Sequence, residues 1–157
     1  MIDIHCHIMP GVDDGSGNMS DSVEMAQLAA KSGIKSIIVT PHCNTHSGNR
    51  NFWDSEMESR FLLLQSKVSE KGIATELLRG QELFLTGGFM DGLNQGRFIT
   101  LNGSVYVLVE FDMRESAPVA YGKLHQLVSE GYVPVVAHPE RYSFVHEQIC
   151  FFPPSLL

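Results

Sequence analysis

The sequence predicts an α/β fold built from parallel strands. Short apolar runs of strand length alternate with longer segments of helical periodicity, and strands separated by helices of that length must pair in parallel with right-handed crossovers. Each apolar run also ends in a His or Glu, and in such folds the carboxyl ends of the strands meet at one edge.

Taken in order, Ile2 to Ile4 is the first strand, followed at once by His5-Cys6-His7 and a Gly-, Asp- and Ser-rich loop from Pro10 to Asn18. Asp21 with Glu24 has capping-box spacing. Val23, Ala26, Leu28, Ala29 and Ala30 give an apolar side to a helix over about Ser22 to Ser32, which Gly33 stops. Ile34 to Thr40 carries a continuous Ile37-Ile38-Val39, the pattern of a strand buried on both faces, and Pro41-His42 ends it. Trp53, Met57, Phe61, Leu64 and Val68 recur at helical intervals before Gly72.

Thr75 to Leu78 is then a strand running into Gly80-Gln81-Glu82, Val105 to Val109 a strand running into Glu110, and Val133 to Ala137 a strand running into His138. Between the last two, Ser116 and Pro118 start a helix, Leu124, Leu127 and Val128 form its buried stripe, and Gly131 ends it. The stretch from Leu83 to Asn102 is broken by glycines, with a short helix at Phe89 to Leu93. Residues 1–150 read as one partial domain and 151–157 as an atypical apolar tail, with neither the charge nor the periodicity to continue a helix. An incomplete barrel or sheet is the expectation, from truncation or from a tail read in another frame.

An apolar fraction of 43% is enough for a packed core, and the formal charge of −7 comes without any basic run longer than a pair. Nucleic acid and anionic membrane are therefore poor partners. An anionic small substrate is not excluded, because bound cations and one placed Arg can dominate the local field. Cys6, Cys43 and Cys150 are odd in number and form no CxxC pair, which argues against a disulfide framework or a zinc-thiolate cluster and for a reducing, cytoplasmic setting. No signal-peptide pattern and no run of membrane-spanning length occurs, so no membrane insertion is expected.

The chemistry is carried by His5, His7, His42, Glu82, Glu110 and His138, all placed at strand ends. One residue separates His5 from His7 in extended chain, so both imidazoles face the same way. Asp13 and Asp14 are either turn residues or further oxygen donors. His46, His125 and His146 lack the strand-end setting and read as surface or outer residues. A mixed nitrogen and oxygen set suits Mn, Fe or Zn better than Ca, and so many donors exceed what one tetrahedral ion needs. A site for at least two ions follows, with a glutamate able to bridge them. Such a site supports phosphate-ester hydrolysis without a side-chain nucleophile, and no cysteine here begins a C-x5-R phosphate cradle. Arg141, three residues beyond His138, either binds phosphate oxygens or pairs at the surface with Glu140 or Glu147.

Ile2-Asp3-Ile4-His5-Cys6-His7-Ile8 with Val12-Asp13-Asp14-Gly15, Thr40-Pro41-His42, Gly80-Gln81-Glu82, Leu108-Val109-Glu110-Phe111 and Pro134 to Arg141 together resemble the polymerase-and-histidinol-phosphatase (PHP) superfamily. The closest likeness is to its manganese-dependent bacterial protein-tyrosine phosphatases of capsule and exopolysaccharide operons. The resemblance implies an incomplete, distorted TIM-like barrel, two or three Mn ions with Fe or Zn as alternatives, and a phosphotyrosine protein as substrate, typically a tyrosine kinase controlling polysaccharide synthesis. Carried over by position, His5 and His7 resemble ligands of one ion, Glu82 a bridge to a second, Glu110 and His138 ligands of that second, and Asp14 and His42 ligands of a third. Arg141 resembles the phosphate-binding catalytic arginine. Family members continue into further strands and a late Asp and His, so a homo-oligomer in which another chain supplies them fits this sequence. Alternatives are a PHP phosphoesterase acting on a small phosphorylated metabolite, or a metal-binding or interaction fragment without turnover.

Overall fold

All pairing in the computed structural model is parallel, and every strand that the sequence predicts is present among the residues described, 1–44 and 50–145. His46, His146, Cys150 and the tail from 151 lie outside them. The elements in order are β1 (Ile2–Cys6), α1 (Met19–Lys31), β2 (Ser36–Val39), β3 (His42–Cys43), α2 (Ser55–Glu70), β4 (Glu76–Arg79), β5 (Glu82–Phe84), α3 (Phe89–Asn94), β6 (Tyr106–Glu110), α4 (Ala117–Ser129) and β7 (Val133–Val136). Single 3₁₀ turns lie at Leu101–Gly103 and Pro139–Arg141.

Two strands expected to run out into loops are instead broken in two. β2 gives way at Thr40-Pro41 and resumes as β3; β4 gives way at Gly80-Gln81 and resumes as β5. Pro41 has no N–H for a ladder. Gly80 is pressed so close that a Cβ there would lie 2.6 Å from Ile38 Cγ2. The first halves form a sheet of order β1-β2-β4 and the second halves enter another of order β3-β5-β6-β7, two arcs of a distorted barrel of parallel strands. His42 and Glu82 therefore begin strands, and they are register partners.

Alternation divides the side chains between three apolar clusters. Ile37, Val39 and Leu77 face outward under α1 and α2, against Val23, Ala26, Met57, Phe61, Leu64 and Val68. Leu83, Val107 and Val109 face outward under α3 and α4, against Phe89, Leu93, Ala120 and Leu127. Ile38, Leu108 and Ala137, with Leu78 and Val135, form the inner cluster. Glu110 shares the inner parity of Leu108, as His42 and Glu82 share that of Ile38 and Leu78, so the polar ends lie on the inward side above an apolar floor.

Some details differ from the sequence expectation. α1 begins three residues early because Asn18, not Asp21, is its N-cap: the Asn18 side chain accepts from Ser20 and Asp21 N–H and donates to the Asp21 carboxylate. Leu28 and Val128, expected in buried stripes, are more than half exposed, since the tighter faces are set by Val23 and Ala26 in α1 and by Ala120 and Leu127 in α4. Among the described residues, no helix is long and apolar enough to cross a membrane.

Candidate metal centre

β1 aims its two histidines by means of an irregularity. Asp3 is registered with Ile37 and Cys6 with Val39, so three steps on β1 match two on β2. The extra residue puts Cys6 on the helix-covered face beside Val39 and leaves His5 and His7 facing inward, which is the usual use of a bulge beside a site. The Asp3 carboxylate accepts from His5 N–H inside the bulge, and Thr40 Oγ1 accepts from Cys6 N–H at 2.8 Å.

The loop after β1 folds back onto His7. Ser16 N–H donates to His7 O, and a Cβ at Gly15 would lie only 2.1 Å from that oxygen, so only glycine permits the approach. This return brings Asp13 to three donors. Its Oδ2 is 2.9 Å from His7 Nδ1 and accepts from His42 N–H at 3.0 Å, while Oδ1 accepts from Gly15 N–H. Asp13 thus does close its own turn, as one sequence reading had it, but it also holds His7 and the start of β3. Asp14 points out and is 82% exposed, with Oδ1 3.5 Å from His42 Nε2.

Glu82 is the centre of the arrangement and is fully buried. Its Oε2 lies 2.9 Å from His5 Nε2, 3.0 Å from His7 Nε2 and 3.2 Å from His42 Nδ1. Its Oε1 is buried and, among the described residues, without a hydrogen-bond partner. Three sets of donors close to within 4.8 Å of one another: His5, Glu82 and His138; His7, His42 and Glu82; and His7, Asp13 and Asp14. Glu110 enters none of these triads but places Oε1 2.9 Å from His42 Nδ1. His138 stands at a left-handed backbone position, φ 47°, with its ring 4.9 Å from that of His5. Arg141 lies in the 3₁₀ turn just beyond, 57% exposed, with Nε 4.0 Å from Glu140.

The electrostatics favour a cation at this point. Burial opposes charge on His7, but hydrogen bonds to Asp13 and Glu82 outweigh it and raise the imidazole to about 10. Burial likewise opposes charge on Glu82, yet hydrogen bonds from His5 and His7 lower it to about 2. The hydrogen bond to Glu110 raises His42 against its burial, and Asp13 is lowered by His7 and by the His42 and Gly15 amides against its own burial. His5 Nε2 and His7 Nε2 lie 3.0 Å apart, each beside the same Glu82 oxygen, a compact mixed cluster of nitrogen and oxygen donors. The donor set, together with the orphaned Glu82 oxygen, fits divalent transition ions.

The triads bring together His5, His7, Asp14, His42, Glu82 and His138 of the expected ligand set, and add Asp13, which spacing could not separate from Asp14 and the resemblance did not favour. Two supporting residues were missed: Gln81, fully buried, donates to Asn51 O and accepts from Ile99 N–H, and Asn51 donates to the carbonyls of Val12 and His42. Neither carries a pattern that a single sequence reveals. His125 is exposed on α4, with Nδ1 3.2 Å from Ser129 Oγ, as its position off the strand ends suggested.

Known proteins resemble this chain in sequence and in fold. Tyrosine-protein phosphatase YwqE of Bacillus subtilis is 37% identical over 157 residues, all of this chain and 59% of its own length. A putative tyrosine-protein phosphatase CapC of Staphylococcus aureus is 31% identical over 90% of this chain and 54% of its own, and CpsB of Streptococcus pneumoniae 30% over 90% and 58%. A solved structure from work on YwqE and the pneumococcal CpsB, named there as metal-dependent tyrosine phosphatases, matches with a TM-score of 0.85 at 36% identity, covering 99% of this chain and 60% of that one. The chain spans less than two thirds of each of these relatives. The family described as "Capsular polysaccharide synthesis, CpsB/CapC" matches residues 1–152, and the chain belongs to it.

Proposed function

We propose that this chain is the metal-holding part of a manganese-dependent protein-tyrosine phosphatase that acts in the cytoplasm on a tyrosine kinase of polysaccharide synthesis. The carrying observation is the convergence of His5, His7 and His42 on one buried oxygen of Glu82. Residues 1–150 form the partial PHP phosphoesterase domain in this reading, and a homo-oligomer is one way in which the donor set is extended.

His5, His7, Asp14, His42, Glu82, Glu110 and His138 would hold two or three ions. When bound, such ions supply Lewis acidity and an activated water for phosphate-ester hydrolysis. The protein's own part is to fix the donors and to receive the phosphate. Asp13 holds His7 through Nδ1 and leaves its Nε2 directed at Glu82. Arg141, three residues beyond His138, would take phosphoryl oxygens through its planar guanidinium. Cys6 and Cys43 are unsuited to nucleophilic attack, because burial pushes both thiols up to about 12.

The test is release of phosphate from a phosphotyrosine peptide by the purified chain with Mn, before and after chelation. Metal-dependent release supports the reading; equal release from rigorously chelated protein overturns it.

A further inference from the structure

Three of the segments that carry the clustered side chains meet at a residue that carries none of the chemistry. Asn51 donates one amide hydrogen to Val12 O at 3.1 Å and the other to His42 O at 2.8 Å. Its own carbonyl accepts from Gln81 Nε2 at 2.6 Å. Val12 directly precedes Asp13 and Asp14, His42 is itself in a triad, and Gln81 directly precedes Glu82. Gln81 is fully buried and is fixed at its other end by Ile99 N–H at 2.8 Å, so the strut does not end in solvent.

The backbone of Asn51 is suited to this and little else. Its φ is 32°, on the left-handed side that most side chains avoid and Asn tolerates. The segment after it runs toward the Asp54 cap of α2, so the bend lets a loop residue reach back across the rim. β3 and β5 pair at His42 and Glu82, and Glu82 N–H donates to Pro41 O at 3.1 Å, but that ladder does not reach the Asp13–Asp14 loop. The Asn51 side chain ties this loop to β3, and its backbone carbonyl ties both to Gln81 beside β5.

We infer that Asn51, braced by Gln81, is a positioning residue that sets the separation of the Asp13–Asp14 loop, His42 and Glu82, and hence the affinity of the site for divalent metal. This rests on the metal-site reading above. Groups that orient metal donors from behind typically change affinity by about 10- to 100-fold when removed, and Asn51 acts on three segments at once.

The test is Mn affinity and stoichiometry of the full chain, by titration against a chelating indicator, for wild type, Asn51→Gly and Asn51→Asp. Glycine keeps the left-handed backbone and deletes the amide; aspartate keeps shape and backbone preference but cannot donate. Both are expected to weaken Mn binding by about 10-fold or more, with cooperative thermal unfolding retained in at least one. Wild-type affinity in a folded variant overturns the role of Asn51 alone. A wild-type chain that takes up no Mn overturns the metal-site reading, and this inference with it.

Discussion

His42 Nδ1 lies 2.9 Å from Glu110 Oε1 although 68 residues separate them, because β5 stands between β3 and β6 and brings both residues to the inner face. His42 also faces Glu82 through the same nitrogen and Asp14 through the other. His42→Ala is therefore expected to abolish phosphotyrosine hydrolysis. Glu110→Gln, which keeps the shape but not the charge, should reduce it by about 10- to 100-fold. Steady-state kinetics on a phosphopeptide, with metal in excess and then limiting, checks both; a Glu110→Gln enzyme of full activity at limiting metal contradicts the assignment.

Asp13 is expected to be as sensitive as the donors it supports. Asp13→Ala leaves the part-buried His42 amide without its acceptor, at up to about 1–3 kcal/mol for a buried group, and frees His7 to turn. Metal affinity should fall by about 10- to 100-fold, with a lowered melting temperature. Asp14→Ala should weaken metal binding without that loss of stability, since its side chain is exposed. Calorimetry and metal titration on the two variants separate the roles.

Much of this site was legible because donors at strand ends are visible as single letters after apolar runs. His5, His7, His42, Glu82, Glu110 and His138 could all be chosen that way. What was not legible is what depends on how strands break. Nothing in Thr40-Pro41-His42 or Gly80-Gln81-Glu82 says that pairing resumes beyond the interruption, because β3 has two residues and β5 three, too short for periodicity. The return of Gly15 onto His7, which brings Asp13 to His7 Nδ1 and leaves Asp14 exposed, is a contact made in space. The Asn18 cap was hidden behind an Asp21–Glu24 pair with equally good spacing.

Stability of metal-free protein should depend on pH in a defined way. Glu82 is lowered from 4.5 to about 2, so its contribution is present above pH 4.5 and lost as pH falls toward 2. His7 is raised from 6.5 to about 10, so its contribution is complete below pH 6.5 and lost as pH rises toward 10. The pair places maximal stability between these ordinary values, about 4.5 to 6.5. Added metal should restore stability on the alkaline side, because donors must lose their protons to bind it. Thermal melts across pH with and without chelator test this; a melting temperature that does not fall on the alkaline side in chelator contradicts it.

Cys6→Ala and Cys43→Ser are expected to leave phosphopeptide turnover within a few-fold of wild type when metal is present. Both thiols are held protonated by burial, and Cys43 Sγ is occupied with the carbonyl of Arg50. Kinetics of the folded variants decides it, and loss of turnover with metal binding intact would indicate a thiol in the chemistry.

The most direct test of the account is the number of metal ions that the purified chain retains, measured by elemental analysis for wild type and Glu82→Gln. Two or more ions per wild-type chain, falling below one in the variant, is the predicted result. Fewer than two in wild type, or an unchanged count without the Glu82 carboxylate, would contradict it.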